Sequence, residues 1–426
     1  MVILIKANLR CNFVNEDGVG CKYCYQHPIR PEDEVIDYEA VEATIRTLHA
    51  EGVEEREKHD QKSGKPQRSR TKSGKPKGPT IGLHGGEPTM LPKSAIERFL
   101  KLSHELTGHS SIQTNGYLID DDMIEMFKKY NTGVGFSIDG PWPLNELRGF
   151  GDVQQRKKQT AKILKTIDKV RKTKLPEEHW SKDKDGNVKD PYIRVSIISV
   201  LHKKNALGDR LETLKQWVKS IHEKGIFGRL NPCCSNNPDI DLTPEEAAET
   251  YSDLFDFLVE NGIDGFSPFK DINNSIKGER EVVCVYKECD PYCTPSCQPV
   301  MKDGSVGVCL RLHQDGKQYP RHEPMRNTRG DVLKQSDCKD CEWWENCYGG
   351  CIGLAVDFDW RNRDRHCLLY KTLFEKTKNM LKFMRIHPKQ RGSPPKDGSS
   401  RSRGGDHWDG FEHLDGDWRH IDSDVI

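Results

Sequence analysis

"LRCNFVNEDGVGCKYCYQ", residues 9–26, places Cys11, Cys21 and Cys24 just after the apolar run Val2–Ile5, spaced as Cx9CxxC. Structural zinc sites and iron–sulfur clusters normally take four protein ligands. A set of three thiols therefore either has a distant fourth partner or leaves one metal coordination position open. The rest of the chain has to say which.

Fifteen cysteines are an odd count, and nothing at the N-terminus has the long apolar core of an export signal, so a disulfide framework is a poor reading. Their clustering favours metal ligation. After the first three come Cys233 and Cys234, and ten more lie between Cys284 and Cys367. Lys plus Arg and Asp plus Glu both number 66; such a balance gives no overall field toward nucleic acid or an anionic membrane. With no apolar run long enough to span a bilayer, a cytoplasmic protein with no membrane partner and no nucleic acid is expected.

Residues 1–262 alternate short β-rich runs with amphipathic helical stretches. Strands are expected at Val2–Ile5, Thr80–His84, Ser110–Gln113, Gly133–Ile138, Ile193–Leu201 and Phe227–Leu230. Six strand–helix units in this order predict an α/β fold, a partial (β/α)6 barrel of parallel strands. A polar insertion at 52–79, with KSGKP at Lys62–Pro66 and again at Lys72–Pro76, reads as a solvated loop, and 173–190 as a second polar excursion. From about Ser267 the alternation stops, and residues 267–386 read as a small cysteine-rich domain stapled by metal and closed by a helix over 368–386.

In a β/α barrel the reactive groups sit on loops after the C-terminal ends of strands. The three cysteines follow the first strand, and the second strand runs into Gly85-Gly86-Glu87-Pro88. Paired glycines let the backbone turn sharply and approach a ligand, leaving carbonyls and one carboxylate toward something cationic. In this combination the sequence resembles the radical S-adenosylmethionine (SAM) enzymes over roughly residues 1–370.

The resemblance implies that Cys11, Cys21 and Cys24 hold a [4Fe-4S] cluster whose fourth iron is chelated by the amino and carboxylate groups of SAM. One-electron reduction then yields a 5′-deoxyadenosyl radical that abstracts hydrogen from substrate, so the open position would be the cofactor site. It places Tyr23 near the adenine, the Gly85-Gly86-Glu87 segment at the SAM ammonium and, through "GFSIDGP" at 135–141, Ser137 near SAM; "QTNG" at 113–116 matches less specifically. The family's usual spacing is Cx3CxxC. Six extra residues add only about 0.6–1 kcal/mol of loop-closure cost, against roughly 10 kcal/mol or more from metal binding.

The later cysteines resemble the SPASM domain of peptide-modifying members, an iron–sulfur domain that follows the barrel. On that pattern Cys338, Cys341, Cys347 and Cys367 hold one auxiliary cluster. Cys293, Cys309 and Cys351 hold a second, with Cys289 as fourth ligand in competition with Cys284 and Cys297. The implied cofactors are SAM and three [4Fe-4S] clusters. The implied partners are a peptide or protein substrate and a one-electron donor such as flavodoxin or ferredoxin.

Oxidation, crosslinking and epimerisation all begin from the same abstracted hydrogen. Leu310 stands where sulfatase-maturing relatives carry an aspartate after the cysteine of Gx4C, which argues against formylglycine formation. The first strand begins at residue 2, so no winged-helix recognition domain is expected ahead of it. Alternative readings are a radical SAM dehydrogenase or mutase of a small molecule, and a zinc-stapled binding protein without catalysis. Cys233-Cys234 read either as packing residues or as a thiol near substrate.

Residues 387–426 read as a disordered acidic tail with His407-Trp408-Asp409, His413-Leu414-Asp415 and His420-Ile421-Asp422 repeats. One hypothesis is that these repeats mimic or constitute the peptide substrate. Mass spectrometry after incubation with SAM would then show a mass change within residues 404–426, and an unaltered tail excludes self-modification.

Overall fold

A computed structural model describes residues 2–14, 20–24, 35–63, 78–182, 186–278, 297–307 and 325–386. Cys284, Cys289, Cys293, Cys309, Leu310, both KSGKP prolines and the His-x-Asp tail lie outside the described residues. Contacts divide the chain into two compact units, residues 1–196 with 291–323 and residues 197–290 with 324–426.

The first unit is built on β1 (Val2–Lys6), β2 (Thr80–Leu83), β3 (Ser110–Thr114) and β4 (Thr132–Ser137), with α1 (Tyr38–Ser63), α2 (Lys93–Thr107), α3 (Asp121–Lys129) and α4 (Val153–Arg171) between and after them. All four strands pair in parallel in sequence order. Apolar residues at helical spacing bury one face of α2, with Ile96, Phe99 and Leu100 inaccessible. Asp120 caps α3 by accepting the Met123 N–H at 3.0 Å, and Asp152 with Gln155 forms a capping box on α4.

Helix α1 continues through residues 52–63, so that part of the expected polar loop is helix. An i,i+4 ion pair, Lys58 to Glu54 at 2.6 Å, lies on its exposed surface. The excursion at 173–190 carries a small antiparallel ribbon, β5 (Ser181–Lys182) with β6 (Val188–Asp190). The division between units falls inside β7 (Val195–Leu201).

In the second unit α5 (Asp209–Glu223), β8 (Phe227–Pro232), α6 (Pro244–Glu260), β9 (Phe266–Ser267) and α7 (Phe269–Ile276) continue the alternation, β8 and β9 being parallel. All six expected strands are present. The short strands β5, β6 and β9 were not foreseen, nor was β10 (Gln298–Met301), which comes from the cysteine-dense stretch yet pairs in parallel with β1, Ile3 opposite Gln298. Four residues are too few to show a period, and the pairing partner lies almost 300 positions away. This is why residues 291–323 group with the first unit.

The second unit ends in α8 (Met325–Gln335), α9 (Trp344–Cys347) and α10 (Cys367–Ile386), the last packed on α6 and α7. Its loops are held by one side chain. Arg329, 3% exposed, donates from Nε to the Trp360 carbonyl at 2.9 Å, from Nη1 to Tyr348 and Gly350 at 3.3 and 3.1 Å, and from Nη2 to Gly349 and Asn362 at 3.1 Å each. Tyr348, Gly349 and Gly350 run at φ of 48°, 78° and 74°. Three consecutive left-handed residues turn their carbonyls onto the guanidinium, and a fork of five N–H groups is what can receive them.

Replacing Arg329 by Met should therefore lower the unfolding free energy by about 3 kcal/mol or more, since buried carbonyls lose their donors. Arg329→Lys should also be clearly destabilising, because one ammonium cannot reach all five acceptors. Urea unfolding followed by tryptophan fluorescence measures both.

Candidate functional site

In the first unit the residues after β1 and those after β2 are fastened together by backbone. Gly86 N–H donates to the Asn8 carbonyl at 3.1 Å and Glu87 N–H to the Arg10 carbonyl at 2.6 Å, while Asn8 Nδ2 donates to the Glu87 carbonyl at 3.0 Å. No side chain fits at these glycines. A Cβ on Gly86 would lie 2.2 Å from the Arg10 oxygen, and one on Gly85 (φ +140°) 2.4 Å from the Asn8 oxygen. The two glycines thus set the course of the chain into Cys11.

Glu87 was expected to face a ligand cation, but its carboxylate is occupied internally. It is buried, 1% exposed. Oε1 accepts the Thr89 N–H at 3.0 Å and the Thr89 and Thr114 hydroxyls at 2.6 Å each; Oε2 accepts the Asn115 N–H at 2.7 Å. Burial pushes the carboxyl up, against these donors, which favour the charged form. Asn115 passes the constraint on: its Nδ2 donates to Asn12 Oδ1 at 2.7 Å and stands 4.0 Å from Cys11 Sγ. Phe13 is buried between Tyr117 and Phe150, with ring centroids at 5.8 and 6.2 Å.

The CxxC end is fixed from β4. Tyr23 O–H donates to Asp139 Oδ2, Arg148 Nη2 donates to Asp139 Oδ1 at 3.2 Å, and the Arg148 guanidinium lies 5.4 Å from the Tyr23 ring centroid. Asp139 is fully buried and Arg148 nearly so. Gly149 N–H donates to Cys21 Sγ at 3.3 Å, and Lys22 N–H to the Leu147 carbonyl at 3.0 Å. Tyr23 therefore presents no free hydroxyl; burial pushes its pKa up.

Cys11, Cys21 and Cys24 share one electrostatic neighbourhood. The Cys11 thiol is pushed up by burial first, then by Cys21, Glu87 and Cys24, and Cys21 is likewise pushed up by burial. Thiols held neutral this way need a cation to ionise as ligands. Two polar atoms buried nearby have no partner among the described residues, Asn8 Oδ1 and Asn12 Nδ2. They offer one acceptor and one donor to a polar group, which fits an amino-acid-bearing cofactor in the same region. Ser137 ends β4, where its hydroxyl accepts from Gln113 Nε2 at 2.8 Å.

The second unit brings Cys338, Cys341, Cys347 and Cys367 around one small cavity, with Trp343, Asp364 and Phe374 among its other lining residues. Burial pushes the Cys338 thiol up to about 11, and raises Cys347 and Cys367 also. Among the described residues no three His, Cys, Asp or Glu side chains stand close enough to share one metal ion; a four-iron cluster asks instead for thiolates that each reach a different iron. Cys351 is buried and lines no part of this cavity, its N–H donating to Asp364 Oδ2 at 2.9 Å. Cys297 lies in the first unit, just before β10.

Of the adjacent pair, Cys233 is packed, its thiol raised by burial. Cys234 differs, with Sγ 3.8 Å from His366 Nε2, whose Nδ1 is 3.2 Å from Asp364 Oδ1. Burial pulls the imidazole down, but Cys234 and Asp364 outweigh it and hold His366 up at about 10. Nothing in the sequence linked residue 234 to residue 366.

Two substitutions test this construction. Gly86→Ala should cost about 1–3 kcal/mol of stability by forcing a methyl into the Arg10 carbonyl. Tyr23→Phe should cost about 1–3 kcal/mol by leaving Asp139 Oδ2 short of a donor. Denaturant titration reads both; wild-type stability in either would refute the packing described.

Comparison with known proteins gives concordant results. Residues 70–183 match the model of the Radical SAM superfamily. The chain is 24% identical over 325 residues to a cysteine-type anaerobic sulfatase-maturating enzyme of Clostridium perfringens, covering 70% of this chain and 80% of that protein. It is also 24% identical over 302 residues to a serine-type anaerobic sulfatase-maturating enzyme of Bacteroides thetaiotaomicron, covering 63% of this chain and 67% of the relative. The solved structure of native anSMEcpe with bound AdoMet superposes with a TM-score of 0.60 at 18% identity, over 91% of this chain and 99% of that one. At that identity the likeness concerns the fold. The chain is thus similar in sequence to the anaerobic sulfatase-maturating enzymes and in fold to anSMEcpe, and its residues 70–183 match the Radical SAM superfamily.

Proposed function

We propose that this chain is a radical SAM enzyme that modifies a residue of a peptide or protein. The carrying observation is the backbone fastening of Gly85-Gly86-Glu87 to the segment leading into Cys11, which sets a three-thiol loop beside a glycine cradle that no side chain could enter. Support for the cofactor and substrate class comes from the relatives: anSMEcpe has been solved with bound AdoMet, and again with AdoMet and the Cp18Cys peptide.

In this reading Cys11, Cys21 and Cys24 hold the [4Fe-4S] cluster, and the cradle with Ser137 and Tyr23 surrounds SAM. When bound and reduced by one electron, that pair supplies a carbon radical able to abstract hydrogen from the substrate. The chain's own contribution is positional. Glu87 fixes the exits of β2 and β3, and the Tyr23–Asp139–Arg148 cluster holds the CxxC turn in register with them.

We assign Cys338, Cys341, Cys347 and Cys367 to one auxiliary cluster, for which their shared cavity gives support. Cys289, Cys293, Cys309 and Cys351 would hold the second. Two further clusters would offer a route for the electron left on a substrate radical and so favour net oxidation. A small flavodoxin or ferredoxin would be the donor of the initiating electron. As domains, residues 1–262 would act as the radical barrel, 267–386 as the auxiliary-cluster region and 387–426 as an appendage. Among the described residues no helix is long and apolar enough to cross a membrane.

Anaerobic reconstitution followed by metal analysis should give about twelve irons per chain with matching sulfide. Reduction in the presence of SAM should release 5′-deoxyadenosine, and Cys24→Ala should abolish that release. Zinc in place of iron, or nucleoside release unaffected by Cys24→Ala, would overturn the assignment.

A further inference from the structure

Between Val153 and Ile167 helix α4 holds five basic residues and no acidic one, in a chain whose charges balance at 66 against 66. Gln159, Thr160, Ile163 and Ile167 form its buried face. Lys157, Lys158, Lys162 and Lys165 fall on the opposite face, where all four are exposed. None of the four makes an ion pair among the described residues. The C-terminal end of the helix is different: Lys169 pairs with Asp121, and Arg171 and Lys172 pair with Asp168 at 2.6 and 2.5 Å. Lys158, Lys162 and Lys165 stand at i,i+4 and i,i+3 spacing, where like charges destabilise a helix, so helix stability does not account for the pattern. At the edge of the face, four residues before Lys157, the apolar Val153 is 51% exposed.

The uncompensated half of α4 is also the half fixed to the cysteine loop. Gln159 accepts the Phe150 N–H at 3.3 Å and donates to the Phe150 carbonyl at 3.2 Å, and the preceding residue, Gly149, donates its N–H to Cys21 Sγ at 3.3 Å. Further along the helix the Lys162 ammonium lies 4.1 Å from the Tyr117 ring centroid. That ring packs on Phe13, whose N–H donates to Cys11 Sγ at 3.4 Å. Two short packed routes thus lead from the lysine face to two of the three thiols. Electron tunnelling weakens steeply with distance, so a redox partner has to seat where few atoms separate it from the acceptor.

We propose that the α4 face bearing Lys157, Lys158, Lys162 and Lys165, with Val153 at its edge, is the docking surface for a small acidic protein that carries a one-electron redox centre. Uncompensated ammonium groups steer an acidic partner into encounter. A small, salt-sensitive contact beside one apolar residue suits a carrier that has to leave after each transfer. The transfer balances: the carrier loses one electron, the cluster bound by Cys11, Cys21 and Cys24 gains it, and no proton moves. Nucleic acid fits this face less well, because residues 153–165 include no aromatic side chain on which a base could stack. The proposal rests on the radical SAM reading, which puts a cluster at these thiols.

The test uses anaerobically reconstituted enzyme, with iron content checked for every variant. Binding of fluorescently labelled flavodoxin and of labelled ferredoxin is followed by anisotropy at low and at high salt. Wild type is compared with a triple variant combining Lys157→Glu, Lys158→Glu and Lys165→Glu, and with a milder triple combining Lys157→Gln, Lys158→Gln and Lys165→Gln. At least one carrier should bind wild type, and less tightly as salt rises. The charge-reversed triple should bind it about tenfold more weakly or worse, and the neutral triple should show a smaller loss. Reduction of the cluster by that carrier, read from the loss of visible absorbance, should slow in step.

Should the charge-reversed triple lose its iron, the neutral triple carries the test. Wild-type affinity in the iron-replete variants, or a wild type that binds neither carrier, overturns the proposal. Affinity for duplex DNA that falls in the variants while carrier affinity does not would overturn it in favour of a nucleic-acid surface. A wild type that takes up no iron, or releases no 5′-deoxyadenosine when dithionite supplies the electron, would instead overturn the functional reading beneath it.

Discussion

The buried carboxylate of Glu87 is the constraint on which the first unit's site depends. A carboxylate removed from water is tolerated only when its lone pairs are filled. Here two residues at the exit of β3, Thr114 and Asn115, fill two of them, and Thr89, beyond the exit of β2, fills the rest. Through Asn115 and Asn12 the same node reaches the loop of Cys11. Two strand ends and the first cysteine are thereby tied to one side chain, and the glycines before it let the backbones meet without an intervening Cβ.

A second buried cluster performs the matching task at the other end of the cysteine loop. Asp139, at the exit of β4, binds both Tyr23 and Arg148. A carboxylate with a guanidinium on one oxygen and a phenol on the other is well compensated in a dry environment. The insertion between Cys11 and Cys21 is thus bracketed by two fixed points, which explains how a longer loop can coexist with a defined cysteine geometry. In the second unit Arg329 plays the corresponding part with opposite charge, gathering five carbonyls around the Cys347–Cys351 turn.

The strand–helix alternation was legible because apolar periodicity is a local signal, and all six strands stand where that signal puts them. The Gly85-Gly86 cradle and the convergence of Cys338, Cys341, Cys347 and Cys367 were legible through motif spacing. What escaped is long-range polar pairing. Tyr23 meets Asp139 across 116 positions and Cys234 meets His366 across 132, and no local pattern announces such partners. Glu87 was assigned to a ligand when its donors lie within the protein, since a sequence shows a carboxylate but not what fills its lone pairs. β10 and the helical extension through residues 52–63 were missed because one is very short and the other polar on every face.

The central claim is that the cluster held by Cys11, Cys21 and Cys24 keeps one iron open and that SAM occupies it. Electron paramagnetic resonance of the reduced enzyme, with Cys293, Cys309, Cys338, Cys341, Cys347 and Cys351 replaced by alanine so that one cluster remains, tests this most directly. The account predicts a [4Fe-4S] signal that shifts when SAM is added and shows coupling to 15N when the amino group is labelled. A signal indifferent to SAM, or none at all in protein that has kept its fold, would contradict it.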